Sequence, residues 1–144
     1  PNLEGVTFIG GDGLDGIVKE LGADSNLAEG VLLVTLFSAT LETEPTKSFV
    51  DSYVAKYGAT PSQFAADAYD AVYIVRDALE YAAERGKDFD ASTSASELCD
   101  ILKGAMTEIS FDGVTGEGIT WTKDGVPTDR IRVVKIENGA YVDL

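Results

Sequence analysis

Hydrophobic positions change period several times along the chain, and the changes lay out its elements. Val6-Thr7-Phe8-Ile9 is a β-branched and aromatic run that stops at Gly10-Gly11-Asp12-Gly13, after which Leu14, Ile17, Val18 and Leu21 recur at helical spacing as far as Gly22. That order predicts a strand, a glycine-rich turn and a helix ended by glycine. A second run, Val31 to Phe37, is short and rich in branched residues. It predicts a strand buried on both faces, and hence a parallel sheet.

Three helices follow. Thr43-Glu44-Pro45 opens the first and Gly58 closes it, with Phe49, Val50, Tyr53, Val54 and Tyr57 as its apolar stripe. Thr60-Pro61-Ser62-Gln63 reads as a capping box that starts a long helix to about Ala83. On it Phe64, Ala68, Val72, Val75 and Leu79 share one face, while Asp67, Asp70, Asp77, Glu80 and Glu84 share another that reads as solvated. The third helix begins at the box Ser94-Ala95-Ser96-Glu97 and buries Leu98, Ile101, Leu102, Ala105 and Met106. Towards the end, Ile119-Thr120-Trp121-Thr122, Ile131 to Ile136 and Tyr141-Val142 read as short strands joined by turns. Asn138-Gly139 is a type I′ hairpin signal. The class is therefore α/β: β-α-β, three helices, then a β-rich end.

Composition narrows the chemistry. With 11 Lys+Arg against 25 Asp+Glu the net charge is −14, so neither nucleic acid nor an anionic membrane surface is an expected partner. There is no His, which excludes Ser-His-Asp and Cys-His catalysis and any His-built metal site. Cys99 is the only cysteine and cannot form an intrachain disulfide; a small half-buried residue beside Leu98 is the plainer reading, a reactive thiol the sharper one. No apolar run reaches the roughly 18 residues of a membrane span. The length of 144 residues suits one domain. Against that, two strands ahead of three helices make a marginal sheet, and the abrupt start at Pro1 suggests a piece of a longer chain.

The glycine-rich turn carries the main functional signal. Ligands of open α/β sheets bind beyond the carboxyl ends of strands, where glycines let a ligand approach the backbone and an acid offers oxygens to a positively charged group. Asp12 therefore has two readings that the sequence leaves open, a contact for a ligand ammonium or a cap for the helix from Leu14. A glycine turn of this kind also occurs in nucleotide-dependent kinases, but there Thr or Ser usually follows where this chain has Leu14, and no basic cluster accompanies it here. Phe111 to Gly118 offers three side-chain oxygens yet lacks the alternating carboxylates of a calcium loop, so a tight turn is the favoured reading. Trp121, Tyr69 and Tyr73 read as packing residues. No cofactor and no metal is expected.

In order and spacing these landmarks resemble the C-terminal part of the type I periplasmic binding proteins, the Leu/Ile/Val receptors of ABC transporters. The stretches that carry the resemblance are Phe8 to Gly13, Glu29 to Thr35, Phe49 to Gly58 with Pro61, Ala68 to Val72, Phe111 to Gly116, Ile119-Thr120-Trp121 with Asp124-Gly125, and Val133 to Gly139. The resemblance implies a Rossmann-like three-layer parallel sheet with helices, present in part: residues 1–37 end the second lobe of a clamshell, 38–130 belong to the first, and 131–144 cross back. Hinge crossings are expected near Phe37-Ser38 and Asp129-Ile131. It also implies a non-enzymatic, extracytoplasmic receptor, periplasmic or secreted and lipid-anchored, that binds an amino acid and docks on an ABC permease. By position Asp12 and Gly13, with Gly11, become ligand-binding residues; the family often has Glu where Asp12 stands. A ligand-sensing domain of a signalling receptor is the alternative. Exposed lobe surfaces would let the piece pair with a second copy.

Overall fold

The computed structural model describes residues 3–128 and 131–144. Pro1, and Asp129 and Arg130 in the expected second hinge crossing, lie outside the described residues. The chain forms two compact units, one from 1–66 with 130–144 and one from 67–129.

The first unit is built on a four-stranded sheet in the order β1-β2-β3-β4, with β1 Ile9–Gly10, β2 Leu32–Thr35, β3 Arg132–Glu137 and β4 Ala140–Asp143. Only β1 and β2 run parallel; β2–β3 and β3–β4 are antiparallel, so the described sheet is mixed. For β3–β4 the reason lies at the hairpin. Asn138 and Gly139 both have positive φ, at 53° and 72°, and pair Glu137 with Ala140 across a two-residue turn. That returns the chain antiparallel, as the Asn-Gly signal requires. Burial along β2 alternates, with Leu33 and Thr35 buried and Leu32 and Val34 half-buried, which corrects the expectation of two fully covered faces. The core of this unit is Ala28, Leu33, Val134 and Ile136, flanked by Ile17, Val18, Leu21 and Tyr141.

Several boundaries also move. The Val6–Ile9 run contributes only Ile9 to a strand, and the helix expected from Leu14 becomes a 3-10 turn over Asp12–Leu14 followed by α1, Ile17–Leu21. Gly16 interposes at φ 88°, a conformation that breaks the helix between the two. Gly22 ends α1 as predicted. Helix α2, Glu44–Tyr57, has Pro45 in its first turn and Gly58 in the left-handed conformation beyond its end, again as the sequence requires. Of its stripe, Phe49 is buried against Phe37, while Val54 and Tyr57 are exposed.

The long helix α3, Gln63–Glu84, presents a different face from the one its apolar residues mark. Phe64, Val72 and Val75 are exposed, whereas Ala66, Asp70, Ala78 and Ala82 are buried. Ala78 and Ala82 pack with Ala105 of α4, Ala95–Met106, in a core cluster of the second unit with Ile101, Leu102 and Met106 around them. Helix α4 starts where expected, Ser94 Oγ accepting from the Glu97 N–H at 3.2 Å. Cys99 on it is exposed, not half-buried. The strand expected at Ile119–Thr122 is reduced to isolated bridges, Phe111 with Ile119 and Trp121 with Pro127.

Asp70 is the main departure from the solvated face. Only 2% exposed, it accepts from Val114 N at 3.1 Å, Thr115 N at 2.8 Å and Thr115 Oγ1 at 2.6 Å. The same contacts settle the Phe111–Gly118 segment as a turn. Its Thr115 hydroxyl is committed to Asp70, and Asp112 Oδ1 accepts from Gly118 N at 2.7 Å. Among the described residues no group of acids and cysteines is arranged to hold a metal ion.

Candidate functional site

A cavity of about 660 Å³ lies within the first unit, at the carboxyl end of β1 and β2. Gly11 and Asp12 line it from the glycine turn, Ser38 and Thr40 from the segment after β2, Tyr53 from α2, and Tyr141 from β4. Strand ends gather here because parallel strands deliver their following loops to one edge of a sheet. The volume is in the range of small-molecule pockets. Gly13 adjoins the lining residues on the same turn but is not among them.

Two acids of the turn are used differently. Asp15 Oδ2 accepts from the Gln63 N–H at 2.7 Å and thereby caps α3. The Gln63 side chain, 4% exposed, is accordingly not the far half of a box with Thr60. Its Oε1 instead accepts from Leu36 N at 3.1 Å and from the Thr35 hydroxyl, closing the backbone where β2 ends. These bonds tie Gln63, the first residue of α3, to the turn and to the end of β2. Asp15 has no sequence signature for that role, since its partner lies 48 residues on.

Asp12 is exposed, and its Oδ1 accepts only from its neighbour Gly13 N, at 2.9 Å. That bond lies inside the single 3-10 turn. Helix α1 starts after Gly16, and no side chain caps it. The helix-cap reading of Asp12 is therefore not realised, and among the described residues no Lys or Arg pairs with its carboxylate. The glycines beside it are not demanded by the chain's own packing. A Cβ on Gly11 or Gly13 would meet nothing within 4 Å, and neither residue has positive φ. Gly10 differs, because a Cβ there would overlap Leu14 Cδ1.

The opposite chemistry is seen at Tyr141. Its hydroxyl oxygen accepts from Gly16 N at 2.8 Å, and burial, with Asp15 nearby, pushes the phenol above its ordinary value of 10.0. Tyr141 stays neutral at physiological pH and ties β4 to the turn. Sequence reasoning missed it, along with Ser38 and Thr40, because nothing local distinguishes them.

Residues 2–140 match the family model described as periplasmic binding protein. Among solved structures the chain is similar to a leucine binding protein from Thermotoga maritima, with a TM-score of 0.73 and 26% identity over 94% of this chain and 35% of that one. It is similar also to the branched-chain amino acid transporter substrate binding protein of Streptococcus pneumoniae solved with isoleucine, with a TM-score of 0.69 and 28% identity over 96% and 37%. A solute binding protein of an ABC transporter from R. palustris, solved with benzoate, shares the fold at 20% identity and a TM-score of 0.73, over 97% and 35%. The chain thus spans about a third of the length of these structures. No curated protein matches it.

Proposed function

The chain belongs to the periplasmic binding protein family and carries part of its type I fold, and from that premise we propose that it is a portion of an ABC-transporter solute receptor that binds an amino acid, of branched-chain or aliphatic type, at the turn Gly11-Asp12-Gly13. The relatives are solute-binding proteins, not enzymes, and two of them are named for leucine or were solved with isoleucine. The observation that carries the assignment is the Asp12 carboxylate, exposed at the cavity with no cation beside it among the described residues, between two glycines that the chain's own packing does not need. An unpaired carboxylate beside open backbone suits a ligand ammonium, which it takes by a charge-assisted hydrogen bond.

In this reading no bond is made or broken. The remaining contacts come from parts of the receptor outside the chain, and a ligand that touches both lobes favours the closed form by its differential affinity. A permease that recognises the closed form, an extracytoplasmic location and the lobe assignment of residues 1–37, 38–130 and 131–144 belong to the same proposal. The shorter Asp12, where the resemblance expects Glu, leaves room for a bulkier donor end.

The test is Asp12→Ala in the complete protein, titrated calorimetrically with leucine, isoleucine and valine. We expect binding to fall at least about a hundredfold, from a lost charge-assisted contact of roughly 3 kcal/mol, with an unchanged melting temperature. Retained affinity with a large loss of stability would refute the assignment and return Asp12 to a structural role.

A further inference from the structure

Ser38 and Thr40 line the same cavity, and the reading above gives them no task. Ser38 is 5% exposed and its Oγ lies 2.8 Å from Thr40 Oγ1. Both hydroxyls reach one oxygen of Asp143, the last residue of β4: Ser38 Oγ at 2.9 Å from Oδ2 and Thr40 Oγ1 at 2.8 Å. Asp143 itself does not line the cavity. An ionised carboxylate only accepts, while each hydroxyl has one proton and two lone pairs. Three short contacts are therefore shared by two protons. However these are distributed, both are used inside the triangle, and what the hydroxyls keep for the cavity is lone pairs.

Two backbone donors elsewhere in the lining are also engaged within the chain. The Gly16 N–H is spent on Tyr141 and the Gln63 N–H on Asp15. Lys19, an exposed side chain, also lines the cavity. A hydroxyl pair whose protons are held at Asp143 receives the donor end of a ligand and has no proton to offer a carboxylate.

We infer that Asp143 is a positioning residue of the ligand site: it fixes Ser38 and Thr40 as acceptors towards the cavity, so that the ligand group seated on this wall is an ammonium or amine. The inference rests on the amino-acid reading of the same site. It differs in assigning a role to a carboxylate that touches no ligand, and in making the hydroxyl pair a second acceptor point beside Asp12.

Asp143→Asn reverses the arrangement, because an amide nitrogen donates to a hydroxyl and frees a hydroxyl proton for the cavity. The experiment titrates the complete protein and its Asp143→Asn and Asp143→Glu variants with leucine, with 3-methylbutylamine, which lacks the carboxylate, and with 4-methylpentanoate, which lacks the amine. Asp143→Asn should weaken leucine and the amine about tenfold, from one misdirected hydrogen bond, and leave 4-methylpentanoate unchanged or tighter. Asp143→Glu should recover part of the loss. Equal losses for every probe the protein takes, or none for leucine and the amine, would overturn the inference by making Asp143 a structural tie or a bystander. Should Asp143→Asn fail to fold, Thr40→Val removes one acceptor and carries the same comparison. An unaltered protein that takes the amine and not leucine refutes the amino-acid reading alone, with the role of Asp143 still decided on the amine. One that takes only 4-methylpentanoate, or none of the three, refutes both.

Discussion

Removing the Asp70 carboxylate is the sharpest test of how α3 is held. Asp70→Ala takes the acceptor from two backbone N–H groups and one hydroxyl, all at a site only 2% exposed. A hydrogen bond to a charged group is worth about 1.5–3 kcal/mol, but the three share one carboxylate, and water can enter the space the side chain leaves. We therefore expect a loss of about 3 kcal/mol and not the sum of three. At this length that is a fall of roughly 6–12 °C in melting temperature. Asp70→Asn keeps the shape but sets an amide N–H against one of the donors, and should cost about half as much. Thr115→Val removes only the hydroxyl contact and should cost about 1 kcal/mol, less when Asp70 is already Ala, since the two share one bond. Urea denaturation of the parent, the three single variants and the Asp70→Ala/Thr115→Val double variant measures all of this. A loss below about 1 kcal/mol for Asp70→Ala would show that the turn at Val114–Thr115 finds other partners and that Asp70 is not its anchor.

The remaining expectations use the same kind of argument. A Cβ on Gly113 would overlap the Phe111 ring and press on Asp70 Oδ2, so Gly113→Ala should destabilise by about 2 kcal/mol in urea, and by less in the Asp70→Ala background. Gly11→Ala and Gly13→Ala meet nothing, so their melting temperatures should stay within about 2 °C of the parent while amino-acid affinity falls, by calorimetry. The Tyr141 phenol is held above 10.0 in the folded protein, chiefly by burial, so the folded state binds that proton more tightly than the unfolded chain. Its contribution is intact below pH 10 and declines as pH rises above it. Melting temperatures between pH 8 and 11.5 should therefore fall more steeply for the parent than for Tyr141→Phe.

Local chemistry was legible wherever the signal and its consequence lie within a few residues. Gly22 and Gly58 stop helices, Ser94 caps α4, and Asn138-Gly139 turns the final hairpin, because each depends on a φ value or an N–H a few positions away. The exclusions drawn from the missing His and the acidic balance also needed only the sequence, as did the glycine turn that points to Asp12. Periodicity failed on α3. Its apolar stripe at Phe64, Val72 and Val75 is exposed, and its buried face is made of alanines and one acid. Close helix contact favours small side chains and a buried carboxylate is tolerated once three donors surround it, and neither condition is visible along a single helix.

The sequence by itself thus determined the helices, the glycine and Asn-Gly stops, and Asp12 as a candidate on the glycine turn. Only the tertiary structure decided which acids are spent. Asp15 is used 48 residues away on α3, Asp70 44 and 45 residues away on the turn, and Asp143 more than a hundred residues back on Ser38 and Thr40. The physical reason is common to all three. A carboxylate is an acceptor without a preferred partner, so what it does depends on which donors folding brings into hydrogen-bond distance, and Asp12 stands out because among the described residues folding brings it only its neighbour's N–H.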